Sequence, residues 1–209
     1  TEVTRMGFSQ TLREESASIW DREKQHPFLI GLGDGSLPLD RFRYYMKQDY
    51  IFLIDFCRAI SLAVSKANNI ADMAWFAHLL NETLNTEMAL HIGFCKDFGI
   101  TEKDLQSTPP SPTTYAYTRH LTQIAFSGEV GEIAASLLPC TWGYSEIGQL
   151  LHKRGLPSNQ PLYSRWIEMY SSQDFAELAR WLRSFVDRLS EVCGQDQMKK
   201  MESAFLASS

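Results

Sequence analysis

Cys140 is a residue whose type would allow it to act as a nucleophile. It shares one helical face with Leu137, Tyr144 and Ile147, so its side chain is predicted to face inward. Pro139 lies inside the same helix and removes one backbone hydrogen bond, which predicts a kink of the kind that often marks a site. A cysteine in this place is either a small buried hydrophobe or, once ionised, a nucleophile, and the spacing leaves both interpretations open.

Asp49 brings a carboxyl group into an aromatic helical face. Phe42, Tyr45, Phe52 and Phe56 recur around it at helical spacing. A charge buried among such rings is costly unless it is paired or hydrogen-bonded. Asp49 therefore either has a structural partner, such as an arginine or a backbone donor, or belongs to a functional site, and both interpretations remain open.

Glu87 and His91 are four residues apart and are predicted to share a helical face with Thr83 and Phe94. Di-iron bundles use Glu-x-x-His from each of two helices, but the spacing here differs and no second copy occurs. We therefore expect no metal. The favoured interpretation is an internal Glu–His pair that fixes helix contacts or orients a neighbouring site residue.

A proline-rich segment, Pro109–Pro112, leads into a helix whose start carries two tyrosines. Thr113 or Thr114 is expected to cap this helix, because threonine hydroxyls accept hydrogen bonds from free backbone N–H groups. The hydroxyl of Tyr117 can point into the helical bundle, although the sequence alone favours a packing role for this ring.

Helical spacing recurs along the whole chain and alternating strand patterns are nearly absent, which predicts an all-α protein. The expected helices are roughly Ser9–Lys24, Pro38–Lys66, Ile70–Phe98, Thr114–Phe126, Val130–Lys153, Pro161–Tyr170, Asp174–Cys193 and Gln195–Leu206. Residues His26–Gly35 and Thr101–Pro112 are expected to form loops. Short connections predict one up-and-down multi-helix bundle, a single domain over residues 1–209.

The composition excludes several functional classes. A net charge of −5 without a basic patch argues against a nucleic-acid partner. No apolar run is long enough for a membrane span, and residues 1–10 do not resemble a secretory signal. The 4 scattered cysteines form no CxxC pair, which indicates free thiols in a reducing compartment, hence a cytoplasmic location. The aromatic content of 12% fits either a large core or a pocket for a flat ligand.

Five segments, in order, resemble the TenA family, also called thiaminase II. They are LPLDRFRYYMKQDY, EMALH, PSPTTYAYT, LLPCTWGYSEIG and YSRWIEMYSS, and the similarity extends from about Phe8 to Ser209. PSPTTYAYT together with LLPC is typical of the branch of the family that has an active-site cysteine.

The resemblance implies a haem-oxygenase-like all-α bundle that assembles as a homotetramer and needs no cofactor. It implies a hydrolase of thiamine salvage, which cleaves thiamine or converts 4-amino-5-aminomethyl-2-methylpyrimidine to the hydroxymethyl form. Cys140 then matches the nucleophile, and Asp49 matches the acid that hydrogen-bonds the aminopyrimidine.

The resemblance also assigns the pocket. Tyr117, Tyr144 and Tyr170 match its tyrosines, and Phe52 lies where related members often have tyrosine, so a ring can stack there but one hydroxyl is absent. Glu87 and His91 are expected to support the site without touching the substrate.

The family's pyrimidine-binding glutamate follows the segment that matches FLASS, whereas the sequence stops at Ser209. We therefore expect the family's C-terminal helix to be missing. This departure keeps a second interpretation open, a non-catalytic pyrimidine-binding or regulatory protein on the same scaffold. A haem or di-metal enzyme is a third interpretation, although no motif singles out an axial histidine.

Overall fold

Helices account for all the regular structure in residues 7–209, the part of the chain that the computed structural model describes. This confirms the predicted all-α class. The α-helices are α1 Phe8–Glu15, α2 Ala17–Lys24, α3 Pro27–Asp34, α4 Leu39–Lys66, α5 Ile70–Asn81, α6 Met88–Asp97, α7 Glu102–Ser107, α8 Pro112–Ser127, α9 Val130–Arg154, α10 Pro161–Tyr170, α11 Gln173–Ser190 and α12 Gln195–Ser208. A π-helical segment, Glu82–Glu87, joins α5 to α6.

The helix predicted over Ser9–Lys24 is divided in two at Ser16. The backbone of Ser16 leaves the helical region, with φ −93° and ψ 4°. Its hydroxyl donates to the Leu12 carbonyl at 2.9 Å, and the residue is fully buried. Serine competes in this way with the regular helical bonds, which explains a break that the side-chain spacing did not reveal.

The loop predicted over His26–Gly35 is wrong, because most of it forms helix α3. Pro27 takes the first helical position, where its missing N–H removes no helical bond. The His26 ring accepts a backbone N–H at 3.1 Å and so caps the helix. Gly35 ends it in the left-handed region, with φ 81°. The glycines of this segment were misread as loop signals, although only the last of them ends an element.

The loop predicted over Thr101–Pro112 is also partly wrong, since it contains the short helix α7. Thr101 and Asp104 satisfy each other's backbone N–H groups at 3.1 and 2.8 Å, which is a complete capping box. At the start of α8, the cap is Ser111 rather than either of the predicted threonines, because its hydroxyl accepts a backbone N–H at 3.2 Å.

The helix predicted over Ile70–Phe98 is interrupted by the π-helical segment Glu82–Glu87. At its beginning the Thr83 hydroxyl donates to the Leu79 carbonyl at 2.8 Å. A π-helical turn accommodates one residue more than an α-helical turn. The side chains before and after the segment therefore do not follow one regular α-helical face.

The contacts within the chain group it into two units, which we name by their place in the sequence. The middle unit is Leu37–Ile133, and the terminal unit combines the residues up to Ser36 with Ala134–Ser209. The predicted single-domain organisation over residues 1–209 stays a prediction.

In the middle unit, helix α4 packs against α5, α6 and α8. Lys66, at the end of α4, donates from its Nζ to the carbonyls of Ala125, Phe126 and Gly128 at 2.8, 2.9 and 2.7 Å. The carbonyls at a helix end lack intrahelical partners and carry the negative end of the helix dipole. One ammonium group thus satisfies the end of α8 and fixes it against α4.

In the terminal unit, α1 packs against α11 and α12, and α3 packs against α10. Trp20 forms an aromatic centre, with Trp142 in edge contact at 5.5 Å and Phe205 stacked at 6.1 Å. The Ser9 backbone N–H donates to the Asp187 carboxylate at 2.6 Å, which ties α1 to α11. These contacts hold the segment of α9 that carries Cys140.

Candidate active site

Asp49 lies on the buried face of α4, as the aromatic pattern predicted. Its side chain is 8% exposed, and Phe42, Phe52 and Phe56 around it are all buried. Burial raises the pKa of Asp49 well above its ordinary value of 3.8, and the charge of Glu87 raises it further. The carboxyl group therefore holds its proton to a higher pH than an ordinary aspartate does.

His91 is the residue that the fold places next to Asp49. Its Nε2 lies 3.4 Å from the Asp49 Oδ2, and both side chains are buried. This contact is longer than a good hydrogen bond, and the Nε2 atom has no hydrogen-bond partner among the described residues. Burial lowers the pKa of His91 to about 4, although the Met46 backbone carbonyl acts in the opposite direction. The imidazole is therefore neutral at pH 7.

Cys95 extends this pair on its other side, which the sequence interpretation missed. Its Sγ lies 3.7 Å from the Nδ1 of His91, in a fully buried contact. The spacing of four residues between His91 and Cys95 is a signal in the sequence that indicates this contact. Burial, and then the charge of Asp49, raises the pKa of this thiol to about 11, so it stays protonated.

Glu87, the last residue of the π-helical segment, acts on two buried groups of α4. After burial itself, its charge is the second cause that raises the pKa of Asp49 and the pKa of Cys57, the latter to about 12. The charge of Glu87 therefore acts on Asp49, while its role as a supporting residue of a site stays a prediction. The predicted internal pair between Glu87 and His91 stays a prediction.

Phe52 and Tyr117 are brought together by the packing of α8 on α4. Their ring centroids are 5.1 Å apart and their planes 28° from parallel, so the rings stack. Phe52 also contacts Phe56 at 5.5 Å. The middle unit thus carries Asp49 and Phe52 on α4, and Tyr117 and His91 on α8 and α6, which each pack against α4.

Cys140 in the terminal unit differs from its neighbours in exposure. Every residue of α9 from Val130 to Gly143 is buried except Cys140, which is half-buried. Pro139 lies inside this helix, as predicted. Cys140 is thus partly exposed as a residue, in contrast to Cys57 and Cys95, which are buried.

Tyr144 and Tyr170 form one aromatic cluster with Trp166. The two tyrosine rings are 4.8 Å apart, and Trp166 lies 4.6 Å from Tyr170 and 5.9 Å from Tyr144. Gly148 allows this approach of α9 and α10, because a Cβ there would lie 2.5 Å from the Tyr170 carbonyl carbon. The fold therefore brings these two predicted tyrosines together.

Charged groups around Trp142, just after Cys140, were not predicted from the sequence. The Arg183 guanidinium lies 3.8 Å from the centre of the Trp142 ring, a cation–π contact. Glu146 accepts hydrogen bonds from Arg13 at 3.0 Å and from Lys24 at 2.7 Å. Burial alone would raise the pKa of Glu146, but these two cations outweigh it and lower the pKa. This network fixes α9 on both sides of Tyr144.

Among residues 7–209, no group of three or more His, Cys, Asp or Glu side chains could hold a metal ion. No helix within the same described range is both long and apolar enough to cross a membrane.

Residues 13–209 match the model of the TENA/THI-4/PQQC family. The chain belongs to this family. Among its relatives is a protein of Halalkalibacterium halodurans named aminopyrimidine aminohydrolase, which is 40% identical over 98% of this chain and 91% of the relative. Proteins of the same name from Bacillus subtilis and Helicobacter pylori are 36% and 33% identical, over 98% of this chain in both cases and over 86% and 94% of the relatives.

Solved structures share the fold of this chain. A TenA family transcription regulator from a Silicibacter species has a TM-score of 0.87 and 31% identity, covering 96% of this chain and 91% of that chain. A domain with a haem-oxygenase-like fold from Shewanella denitrificans has a TM-score of 0.75 at 16% identity, over 95% and 86% of the two chains. The predicted family and the predicted haem-oxygenase-like fold are thus confirmed, while the roles of the site residues stay predictions.

Proposed function

We propose that this protein is a hydrolase of thiamine salvage that converts 4-amino-5-aminomethyl-2-methylpyrimidine to the hydroxymethylpyrimidine, with Cys140 as its nucleophile. The observation that carries the reaction is the identity of 33 to 40% with three relatives named aminopyrimidine aminohydrolase over nearly the whole chain. The partial exposure of Cys140 in an otherwise buried stretch of helix supports its role.

The proposed chemistry is covalent catalysis. The Cys140 thiolate adds to an electron-poor carbon of the pyrimidine ring, and the added electron pair expels ammonia from the neighbouring methylene, with a proton taken up by the leaving nitrogen. Water then adds to the methylene carbon and loses a proton. The ring finally releases the thiolate, which restores aromaticity and the free enzyme.

Asp49 supplies the hydrogen-bonding group that makes the ring electron-poor. A carboxyl group whose pKa is raised by burial keeps its proton to a higher pH than an ordinary aspartate, and while it is protonated it can donate a hydrogen bond or a proton to a ring nitrogen. It can also accept from the exocyclic amino group of the same ring edge. In this proposal His91 and Glu87 act on Asp49, and not on the substrate.

The aromatic residues hold the flat ring. We propose that Phe52, Tyr117, Tyr144 and Tyr170 contact the pyrimidine, since aromatic faces stack on planar heterocycles at low cost in side-chain entropy. The phenylalanine at position 52 offers a face without a hydroxyl, so the ring orientation depends on the three tyrosines and on Asp49.

The experiment compares Cys140→Ser with Cys193→Ser. Cys193 is the matched control, because it is also a half-buried cysteine outside any disulfide. Release of hydroxymethylpyrimidine from the aminomethyl substrate should fall by at least about 10³-fold in Cys140→Ser, because a hydroxyl is a far weaker nucleophile than a thiolate at neutral pH. It should be unchanged in Cys193→Ser, and product binding should persist in both.

Two results would contradict the proposal. Turnover at the wild-type rate in Cys140→Ser would remove the nucleophile assignment. A wild-type chain that binds hydroxymethylpyrimidine without any turnover would instead support the non-catalytic pyrimidine-binding protein.

We further propose that the protein acts as a homotetramer in the cytoplasm, as the family resemblance implies. Large exposed apolar side chains on the middle unit support self-association, namely Ile70 at 84% and Phe126 at 73% exposure. Light scattering on the purified protein measures the assembly directly, and a monomer at micromolar concentration would refute the tetramer.

A further inference from the structure

Three buried side chains in the middle unit form two successive contacts, which we call the line. The proposed reaction does not use all three of them. Cys95 Sγ contacts His91 Nδ1 at 3.7 Å, and His91 Nε2 reaches Asp49 Oδ2 at 3.4 Å. Exposure is 1% for Cys95 and 4% for His91, so bulk water does not replace either contact. A buried line of this kind ties the proton on one group to the proton on the next.

The protonation states of Cys95 and Asp49 restrict which ring nitrogen of His91 can carry the proton. The Cys95 thiol keeps its proton at neutral pH, because burial and then Asp49 raise its pKa to about 11, while Lys47 acts in the opposite direction. His91 is neutral and therefore has one N–H and one acceptor nitrogen. The hydrogen bond made at one ring nitrogen decides which nitrogen carries the proton.

We propose that Cys95 is a positioning residue that sets the tautomer of His91 and thereby the orientation of Asp49. Its S–H donates to Nδ1, so the imidazole proton is on Nε2 and faces Asp49 Oδ2. The inference rests on the proposed function, in which Asp49 binds the aminopyrimidine. With Oδ2 engaged by His91, Oδ1 is the oxygen left to hold the proton and bind the ligand.

The opposite arrangement would place the proton on Nδ1 and make the Cys95 sulfur the acceptor. The buried thiol proton would then lose Nδ1 as its acceptor. This arrangement would also turn the Nε2 lone pair toward a carboxyl oxygen, which is tolerable only while Asp49 donates its own proton to His91. Contacts such as that of His91 with Asp49 are often long before the ligand binds and shorten afterwards.

Other titratable and charged groups lie near the line, and the Cys95 variants leave all of them in place. Lys47 and Tyr50 lie on α4, where the Tyr50 ring is 6.3 Å from the His91 ring. Glu87 and Cys57 lie in the same region, with Glu87 acting on both Asp49 and Cys57, and the Met46 backbone carbonyl acts on the His91 ring.

The first measurement is the tautomer of His91 in the ligand-free protein, read from its imidazole ¹⁵N chemical shifts. The chain has 5 histidines, so the His91 signals are assigned by their loss in His91→Gln. We expect a protonated Nε2 and a bare Nδ1 in the wild type. Cys95→Ala should give a mixture of tautomers, and Cys95→Ser should restore the wild-type state, because a hydroxyl can also donate to Nδ1.

The second measurement is the kinetics of the same variants, with Cys57→Ala as the matched control. Cys57 is also a buried thiol of the middle unit with a raised pKa. Cys95→Ala should raise KM about tenfold with a smaller change in kcat, which is the usual size of effect for a group that orients a ligand-binding residue. It should also move the pH dependence of kcat/KM. Cys95→Ser should restore both, and Cys57→Ala should change neither.

A wild-type His91 with its proton on Nδ1 would overturn the inference, and so would a Cys95→Ala variant with unchanged ¹⁵N shifts, KM and pH profile. If Cys95→Ala fails to fold, the wild-type tautomer still tests the inference, because a proton on Nδ1 overturns it. A wild-type protein without turnover would contradict the proposed function. The tautomer of His91 is measured without substrate, so that result supports or refutes the role of Cys95 independently of the proposed function.

Discussion

The buried, neutral state of His91 predicts how the stability of this protein depends on pH. Burial lowers the pKa of His91 in the folded chain to about 4, from 6.5. The unfolded chain therefore binds a proton at this position between those two values, and the folded chain does not. The contribution of His91 to the free energy of unfolding is therefore complete above pH 6.5 and is lost as the pH falls toward 4.

The size of the effect follows from the shift. A difference of one pKa unit corresponds to about 1.4 kcal/mol, so the full loss is about 3 kcal/mol. Between about pH 7 and about pH 4.5, the linkage relation gives about 2 kcal/mol of this loss. His91 is only 4% exposed, so solvent screening reduces the estimate little.

Asp49 acts with the opposite sign and must be separated. Its pKa is raised in the folded state, so its contribution to stability is largest below the unfolded value of 3.8 and is lost as the pH rises through the folded value. We therefore set the comparison in an Asp49→Asn background. The shift of His91 should survive there, because burial is its main cause.

The assay is urea denaturation of Asp49→Asn and of Asp49→Asn/His91→Gln at the two pH values. The first protein should lose about 2 kcal/mol more than the second on acidification. Equal losses in the two proteins would refute the argument, since they would show that His91 titrates alike in the folded and unfolded chains.

Two further predictions concern the supports of the site. Lys66→Met should lower the free energy of unfolding by about 2 kcal/mol, because it leaves three carbonyls without their ammonium donor. The control Lys103→Met, at an exposed position, should change the free energy of unfolding by less than about 0.5 kcal/mol. Similar Tm values for the two variants would contradict this prediction. Gly148→Ala should cost about 1 to 3 kcal/mol and raise KM, because its Cβ collides with the Tyr170 backbone, whereas a Cβ at Gly143 meets no atom closer than 4.0 Å. Calorimetry that finds Gly143→Ala as damaging as Gly148→Ala would refute the steric reason.

The sequence by itself determined the helical class, most helix positions and the buried face of α4. These features depend on the spacing of side chains a few residues apart, which one helix fixes locally. Helix α10 begins and ends at the predicted residues, Pro161 and Tyr170. Asp49 lies among buried rings as its spacing predicted. The catalytic assignment of Cys140 came from the family resemblance, because spacing alone did not separate a nucleophile from a core cysteine.

Only the tertiary structure decided what each buried polar group contacts. The partner of Asp49 is His91, on another helix and 42 residues further along the chain, and no local pattern encodes that meeting. Helix α3 and the π-helical segment were not predicted either. In α3, capping bonds outweighed the glycine content, and in the π-helical segment, packing outweighed the regular helical spacing. Burial then shifted the pKa of Asp49 upward and that of His91 downward. The cost of removing a charge from water depends on the whole surrounding fold, so the residue's own type and spacing could not reveal it.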